Sequence, residues 1–162
     1  MQRNTTFQRE RTIRFHHCDP AGIVFYPQYL VMLHAFIERW FDEGLGYPYR
    51  TFMGEQRLGI PVVQLECQFF VPSRMGDKTR FSLAVARMGS SSIDLVLEVH
   101  GVNEHGVEEM RMKATQTVVV MSLDTYRAVA ISAPLRERLS EYLQAPSGSV
   151  PEPDDERLEE VA

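Results

Sequence analysis

A chain of 162 residues, 44% hydrophobic and 24% charged, is long enough to fold as a single domain whose core needs neither disulfides nor a metal. Its formal net charge of −5 argues against a nucleic-acid partner, and its two cysteines are too few for a disulfide framework, which favours a cytoplasmic location. We find no signal-peptide core and no apolar run near the roughly 20 residues of a membrane-spanning helix, so we expect no membrane insertion.

The first part of the chain predicts one strand followed by one strongly apolar helix. Residues 5–15 alternate apolar and charged side chains, as a half-buried strand does. After an Asp-Pro-Ala-Gly turn, Pro27 fits the first position of a helix, where its missing N–H costs nothing. The helix is apolar around most of its circumference, which predicts that the rest of the protein encloses it, and Gly44 and Gly46 end it.

The second part of the chain predicts strands. Apolar and polar side chains alternate over residues 63–71, 81–85, 93–99 and 110–120. Short turns between these segments are typical of an antiparallel meander with one covered face. We therefore predict an α+β fold in which a long, curved antiparallel sheet wraps around one central helix, with a short closing helix over residues 133–143. This domain spans residues 1–145, and residues 146–162 have the proline-rich, acidic composition of a disordered tail.

The segment from Arg14 to Tyr29 contains the candidate catalytic groups. It places one carboxylate, Asp19, at the end of an extended stretch and just before two turn formers, Pro20 and Gly22. This order can aim Asp19 and the N–H groups of the first helical turn at one small volume, which suits attack on a carbonyl. In the alternative interpretation, Asp19 only forms an Asx turn before Pro20.

The same segment carries a resemblance to a known family. Residues 17–29 read His-Cys-Asp-Pro-Ala-Gly-Ile-Val-Phe-Tyr-Pro-Gln-Tyr. This resembles the Asp-Cys-Asp-Pro-Ala-Gly-Ile-Val-(aromatic)-Tyr-Pro-Asn-Tyr hallmark of the 4-hydroxybenzoyl-CoA thioesterase branch of the hotdog-fold acyl-CoA thioesterases, and a weaker likeness extends to about residue 143. The resemblance implies a hotdog fold and hydrolysis of a small aromatic or short-to-medium acyl-CoA thioester to a carboxylic acid and CoA. It implies no cofactor, since coenzyme A is part of the substrate.

The resemblance also implies the catalytic roles and the assembly. Asp19 matches the family's catalytic carboxylate, acting as nucleophile or general base, and the backbone N–H of Tyr26 matches the group that binds the thioester carbonyl oxygen. A carboxylate with the usual pKa of about 3.9 is a better nucleophile than base at neutral pH, which favours the covalent route. Family members form dimers whose sheets join edge to edge with the active sites between subunits, and these commonly pair into homotetramers.

Further positions are candidates for substrate binding. They are His17, Gly22, Phe25, His34, Ile60 and Glu66. His34 and Ile60 stand where the hydroxybenzoyl-CoA enzymes have an aspartate and a threonine, so specificity for the 4-hydroxybenzoyl group stays open. Glu66 is either a second carboxylate facing the pocket or an interface residue. We expect His17 to be a partly exposed loop residue, unless it lies across the turn from Asp19 and tunes it.

A turn between two predicted strands is the candidate site for the CoA phosphates. The positions concerned are Arg87, Gly89, Ser90 and Ser91. Only Arg87 is cationic, so serine hydroxyls and backbone N–H groups would also have to bind the phosphates. No cluster of residues has the ligand spacing of a metal site, and we expect none.

Two other classes of function stay open. Hotdog folds also host hydratases and dehydratases, which typically use an Asp/His pair for proton transfer, and the Asp-Pro-Ala-Gly signature does not resemble theirs. A non-catalytic acyl-CoA-binding or interaction protein would keep the fold and meet its partners through the acidic tail.

Overall fold

The computed structural model describes residues 5–144, which contain two α-helices and seven strands. In chain order these are β1 (Phe7–Thr12), α1 (Tyr26–Arg39), β2 (Leu58–Gly59), β3 (Val62–Phe69), β4 (Lys78–Met88), β5 (Ser92–Val102), β6 (Glu108–Val119), β7 (Met121–Ser122) and α2 (Ala133–Ser140). The first strand is shorter than predicted because Phe15–His17 folds into a 3₁₀ turn. The predicted tail, residues 146–162, lies outside the described residues.

Five strands form one antiparallel sheet in the order β1-β4-β5-β6-β3. The inner strands β4, β5 and β6 are long, with 11, 11 and 12 residues. Along β5 every second side chain is buried, and these are the residues that period-2 alternation predicts to face the core. They are Ile93, Leu95, Leu97 and Val99.

Helix α1 crosses this sheet from one edge to the other. Near its start, the Tyr29 ring lies 6.2 Å from the ring of Phe69 on β3. Seven residues further along the helix, Phe36 lies 5.2 Å from Phe7 on β1 and 5.7 Å from Phe81 on β4. One long helix packed on a long antiparallel sheet confirms the predicted α+β architecture. None of the helices in residues 5–144 is long and apolar enough to cross a membrane.

A stripe of α1 on the side away from the sheet stays exposed. Val31, His34 and Glu38 follow one another at helical spacing along it, and 61% of Val31 is exposed. Because most of the helix circumference is apolar, the sequence predicted a fully enclosed helix, and it did not predict this exposed stripe. Beyond Arg39 the chain continues into a π-turn, Trp40–Gly44, in which the Leu45 N–H donates to the Trp40 carbonyl at 2.8 Å.

Strand β3 is an edge strand with both faces open. It pairs with β6 on one side, and among the described residues no strand lies on its other side. Seven of its eight residues are exposed, including Val63 at 61% and Phe69 at 49%. Such a strand presents unpaired N–H and C=O groups together with apolar side chains, which is the usual signature of a surface that pairs with another strand.

Candidate active site

The loop before α1 closes on itself and fixes the position of Asp19. Cys18 and Val24 face each other as an isolated antiparallel pair. Between them, the Asp19 N–H donates to the Ile23 carbonyl at 3.0 Å, and the Gly22 N–H donates to the Asp19 carbonyl at 2.9 Å. Gly22 has a φ of +79°, which a residue with a side chain would adopt only with strain. Asp19 therefore begins a tight turn of defined shape.

The two carboxylate oxygens of Asp19 have different surroundings. Oδ1 accepts a hydrogen bond from the Ala21 N–H at 2.8 Å, which is the Asx turn considered above. Oδ2 has no hydrogen-bond partner within residues 5–144, and the side chain is half-buried. The turn and a chemical role are thus compatible, since each uses a different oxygen.

The start of α1 presents one backbone donor. The Phe25 N–H donates to the His17 carbonyl at 3.0 Å, and the Gln28 N–H donates to the Phe25 carbonyl at 2.8 Å. Pro27, the second helical residue instead of the predicted first, has no N–H. Only the Tyr26 N–H in this turn lacks an acceptor within the described part of the chain. A free N–H at a helix N-terminus binds an anionic oxygen well.

A neighbouring loop, residues 72–77, holds the Asp19 loop in place. The Val24 N–H donates to the Ser73 carbonyl at 2.9 Å, and Ile23 pairs with Arg74 as an isolated bridge. The Tyr29 hydroxyl donates to Ser73 Oγ at 2.7 Å, and both side chains are buried. These contacts join the helix start and the Asp19 loop to one support.

Arg111 of β6 holds loop 72–77 in place through hydrogen bonds. Its Nη1 donates to the Pro72 carbonyl at 2.6 Å and to Asp77 Oδ2 at 3.2 Å, and its Nη2 donates to the Val102 carbonyl at 3.3 Å. Only 5% of the Arg111 side chain is exposed. A Cβ at Gly101 would lie 2.6 Å from Arg111 Nε, so the guanidinium needs a glycine there. The sequence analysis missed Arg111, although a glycine inside a strand often marks a close approach of this kind.

His17 is buried, so the expectation of a partly exposed loop residue is wrong. Its Nδ1 accepts a hydrogen bond from the Arg14 N–H at 2.9 Å, and its ring lies 4.0 Å from the ring of His16. Burial, followed by the positive neighbours His16, Arg11 and Arg14, lowers the pKa of His17 below its usual value. The 3₁₀ turn rotates this side chain inward, and His17 therefore braces the loop in its neutral form.

The other predicted catalytic and substrate-binding residues fall into two groups. Gly22, Phe25 and Tyr26 lie on the Asp19 loop and at the helix start; the Phe25 and Tyr26 rings are 5.7 Å apart, and Tyr26 is 6.2 Å from Phe69. The others lie further away. His34 is on the exposed stripe two helical turns along α1, Glu66 is exposed in the middle of β3, and half-buried Ile60 precedes β3.

The turn between β4 and β5 is held by α2. Arg136 donates to the carbonyls of Gly89 and Ser90 at 2.6 and 3.3 Å. Arg87 is paired with Asp94, with Nε and Oδ2 2.7 Å apart. Arg136 is thus a second cation at the predicted CoA-binding turn, and sequence reasoning missed it because it comes from a distant helix.

The sheet register separates this turn from Asp19. Val62 lies opposite Val118, which lies opposite Ile93 beside the turn. Phe69, next to the helix start, is at the other end of β3, seven residues and roughly 23 Å away at the usual strand rise. Within one chain, the two predicted parts of the site therefore lie at opposite ends of the sheet.

A helix on an antiparallel sheet, with an aspartate-bearing turn at the helix start, defines a hotdog-fold thioester hydrolase. The chain belongs to the thioesterase-like superfamily, whose family model matches residues 13–139. The predicted hotdog fold and the predicted class of enzyme are thereby confirmed.

Individual relatives agree with this assignment. The 1,4-dihydroxy-2-naphthoyl-CoA hydrolase of Crocosphaera subtropica is 25% identical over 130 residues, which cover 80% of this chain and 85% of the relative. The solved 4-hydroxybenzoyl-CoA thioesterase from Pseudomonas sp. superposes with a TM-score of 0.75 at 26% identity, covering 82% of this chain and 98% of that chain. An Asp-to-Asn variant of 4-hydroxybenzoyl-CoA thioesterase, solved in complex with 4-hydroxybenzoyl-CoA, superposes with a TM-score of 0.76 at 25% identity. The match covers 83% of this chain and 98% of that chain.

The Tyr29–Ser73 contact generates a first prediction. Tyr29→Phe leaves the buried Ser73 hydroxyl without its donor, so we expect the free energy of unfolding to fall by about 1–3 kcal/mol. Because the contact positions the helix start, kcat for thioester hydrolysis should fall more than KM changes. Urea unfolding and steady-state kinetics measure both effects. Tyr126→Phe, at a 75% exposed residue, is the control, and equal behaviour of the two variants would contradict the positioning role.

The lowered pKa of His17 generates a second prediction, on stability against pH. A histidine whose pKa is lower in the folded state binds fewer protons there than in the unfolded chain, so its contribution is present above the unfolded pKa of 6.5 and is lost as pH falls below that value. We expect urea unfolding at pH 7.5 and 5.5 to show lower stability at pH 5.5. His17→Asn, which can still accept from the Arg14 N–H, should reduce this loss; an unchanged difference would refute the assignment.

Proposed function

We propose that the protein hydrolyses an aromatic acyl-CoA thioester to the free acid and CoA, as the names of its relatives indicate for them. The observation that carries this proposal is that one Asp19 oxygen and the Tyr26 N–H, both on the segment that leads into α1, have no partner within residues 5–144. Exposed aromatic rings of Phe25, Tyr26 and Phe69 beside them favour a flat, apolar acyl group. Short-to-medium acyl groups are the alternative substrates.

In the proposed mechanism, Asp19 attacks the thioester carbonyl. The carboxylate oxygen forms a bond to the carbonyl carbon, and the developing oxyanion is held by the Tyr26 N–H and the positive end of α1. Collapse breaks the carbon–sulfur bond, releases CoA as its thiolate and leaves a mixed anhydride, which water opens to the acid and a restored carboxylate. General-base attack by water remains the second route. Loss of one oxyanion donor typically costs about 2.7–4 kcal/mol, so the Tyr26 N–H would supply a large part of the transition-state stabilisation.

The carboxylate requirement has support from a relative. In 4-hydroxybenzoyl-CoA thioesterase, an Asp-to-Asn variant is found in complex with 4-hydroxybenzoyl-CoA. A thioester carbonyl is electrophilic enough to react with a positioned carboxylate unaided, so the proposal requires no cofactor beyond the CoA of the substrate. Cys18 and Cys67 are free thiols, which supports the predicted cytoplasmic location.

The proposed active unit is a dimer joined through β3. If two copies pair β3 antiparallel across a twofold axis, the Val62 end of one strand meets the Phe69 end of the other. The turn at residues 89–91 of one copy then approaches Asp19 of the other, which brings together the parts that one chain keeps roughly 23 Å apart. The backbone N–H groups of Ser90 and Ser91, shaped by Arg136, would then hold the CoA phosphates. Pairing of two dimers gives the predicted tetramer.

A hydratase is the less favoured assignment. Such an enzyme needs a histidine free to exchange protons beside the carboxylate. His17, two residues before Asp19, is the histidine nearest to it in the sequence, but it is buried and its Nδ1 is occupied by the Arg14 N–H. The geometry therefore supports nucleophilic or base catalysis by Asp19 over proton transfer by an Asp/His pair.

The mechanism predicts the effect of Asp19→Asn. The amide can keep the Asx turn through its own oxygen, so the melting temperature should stay within a few degrees, but it can neither attack nor accept a proton. We expect kcat to fall about 10²–10⁴-fold on 1,4-dihydroxy-2-naphthoyl-CoA and on benzoyl-CoA, followed by thiol release. Asp124→Asn, at an exposed ion pair with Arg57, is the matched control. Turnover of the Asp19 variant near the unmodified rate would exclude the mechanism.

The dimer predicts that a charge on the open edge of β3 separates the subunits. Leu65→Lys should convert the assembly to monomers and abolish hydrolysis, because like charges meet across the twofold axis. Light scattering coupled to size-exclusion chromatography gives the mass, and thiol release gives the activity. Val107→Lys, at a more exposed residue away from β3, should change neither. An active monomer of the unmodified chain would refute the composite site.

A further inference from the structure

The face of β1 that points towards the core contains two arginines that are not part of the candidate active site. Phe7 and Ile13 are buried, and Arg9 and Arg11 lie on the same face of the strand as these two residues. Arg9 and Arg11 thus lie towards α1, where an apolar residue would be expected. Two cations on the helix-facing side of an edge strand call for anionic partners.

Only one of these arginines has an anionic partner. Glu43 binds Arg9 through Oε2 at 2.8 Å and Arg39 through Oε1 at 2.6 Å, and these bonds lower the pKa of Glu43. Arg11 has neither an ion pair nor a side-chain hydrogen bond within residues 5–144, although it is half-buried. Burial, and then the charge of Arg39, lowers the pKa of Arg11. The guanidinium of Arg11 is therefore an uncompensated cation beside another cation.

A cavity opens at this position between β1 and α1. Its lining residues are Arg9, Glu10, Arg11, Ala35, Phe36, Arg39 and Phe81, and its volume is about 60 Å³. One water needs about 10–15 Å³ by the same kind of measure, so the cavity admits several atoms of an organic molecule, with the rest in solvent. Three of the lining residues are arginines, and Ala35, Phe36 and Phe81 form the apolar part of the lining, which we call the floor.

We propose that this cavity, the Arg11 cleft, is a second ligand site that binds a small organic monocarboxylate with a flat apolar body, such as benzoate. The carboxylate pairs with Arg11 and the apolar body lies on Phe36 and Ala35. The local charges favour one negative charge, because three arginines face two glutamates, Glu10 and Glu43. The apolar floor favours an organic acid over inorganic phosphate.

The Arg11 cleft is separate from the candidate active site. Arg39 is thirteen residues along α1 from Tyr26, which corresponds to roughly 20 Å of helix. The cleft also lies at the β1 edge of the sheet, opposite the β3 edge. The proposal is thus independent of the proposed function, and Asp19→Asn should bind benzoate at the cleft as the unmodified chain does.

The test is an NMR titration of the full chain with sodium benzoate at constant ionic strength, following the arginine Nε–Hε signals. We expect a saturable shift of the Arg11 signal, a weaker one with acetate, and none with the neutral isostere benzamide. Arg11→Gln should weaken binding about tenfold or more, as expected for loss of a charged hydrogen bond. Arg57→Gln, at an exposed ion pair on another part of the surface, should bind as the unmodified chain does.

A second variant separates the cavity from the charge. Ala35→Met keeps every charge and a good helix former but fills the floor of the cleft, so benzoate binding should be lost while the melting temperature is retained. Benzoate binding that is unchanged in both Arg11→Gln and Ala35→Met would overturn the proposal. So would tighter binding of inorganic phosphate than of benzoate, or an Arg11 signal that responds to neither.

Discussion

The buried guanidinium of Arg111 is the constraint on which the geometry around Asp19 depends. A buried charge is tolerated only when acceptors surround it, and removing one leaves a penalty of several kcal/mol. Arg111 takes its acceptors from separate segments: the Pro72 carbonyl, Asp77 and the Val102 carbonyl. Glu109 also pairs with Arg111, with Oε1 3.1 Å from Nη2. Movement of loop 72–77 would therefore remove two of the four acceptors of this charge, the Pro72 carbonyl and Asp77. Because this loop also binds the Asp19 loop and Tyr29, the rigid sheet sets the position of the carboxylate.

This dependence explains how a surface loop can hold the Asp19 carboxylate in a defined position. One oxygen of Asp19 shapes its own turn, while the other oxygen and the Tyr26 N–H have no partner within the described residues. Donors and nucleophiles held in place before the substrate arrives need no reorganisation during the reaction, which is the main source of electrostatic catalysis. Neutral, buried His17 supports this arrangement mechanically, since its carbonyl receives the Phe25 N–H just before the helix.

Sequence reasoning predicted those features that depend on local pattern. Alternation located the long strands, and the residue order around Asp19 located the turn and the helix start. It failed where a side chain's environment comes from distant segments. His17 is buried because a 3₁₀ turn rotates it inward, and Arg111 is buried because loop 72–77 and the end of β5 supply acceptors for it. Arg11 lies on the face of β1 where alternation predicts apolar residues. Gly101, whose missing Cβ leaves room for the Arg111 guanidinium, was the one local signal, and a glycine alone does not identify its neighbour.

The open edge of β3 and the separation of the site into two ends have the same structural origin. In an antiparallel sheet, the order β1-β4-β5-β6-β3 places the helix start and the β4–β5 turn at opposite ends of the edge strand. In the proposed dimer, a twofold axis through an antiparallel strand pair exchanges those ends, so a single association would both cover the exposed apolar residues and assemble two equivalent sites. Further charges or prolines on this edge would block strand pairing in that dimer and so keep the two parts of each site apart.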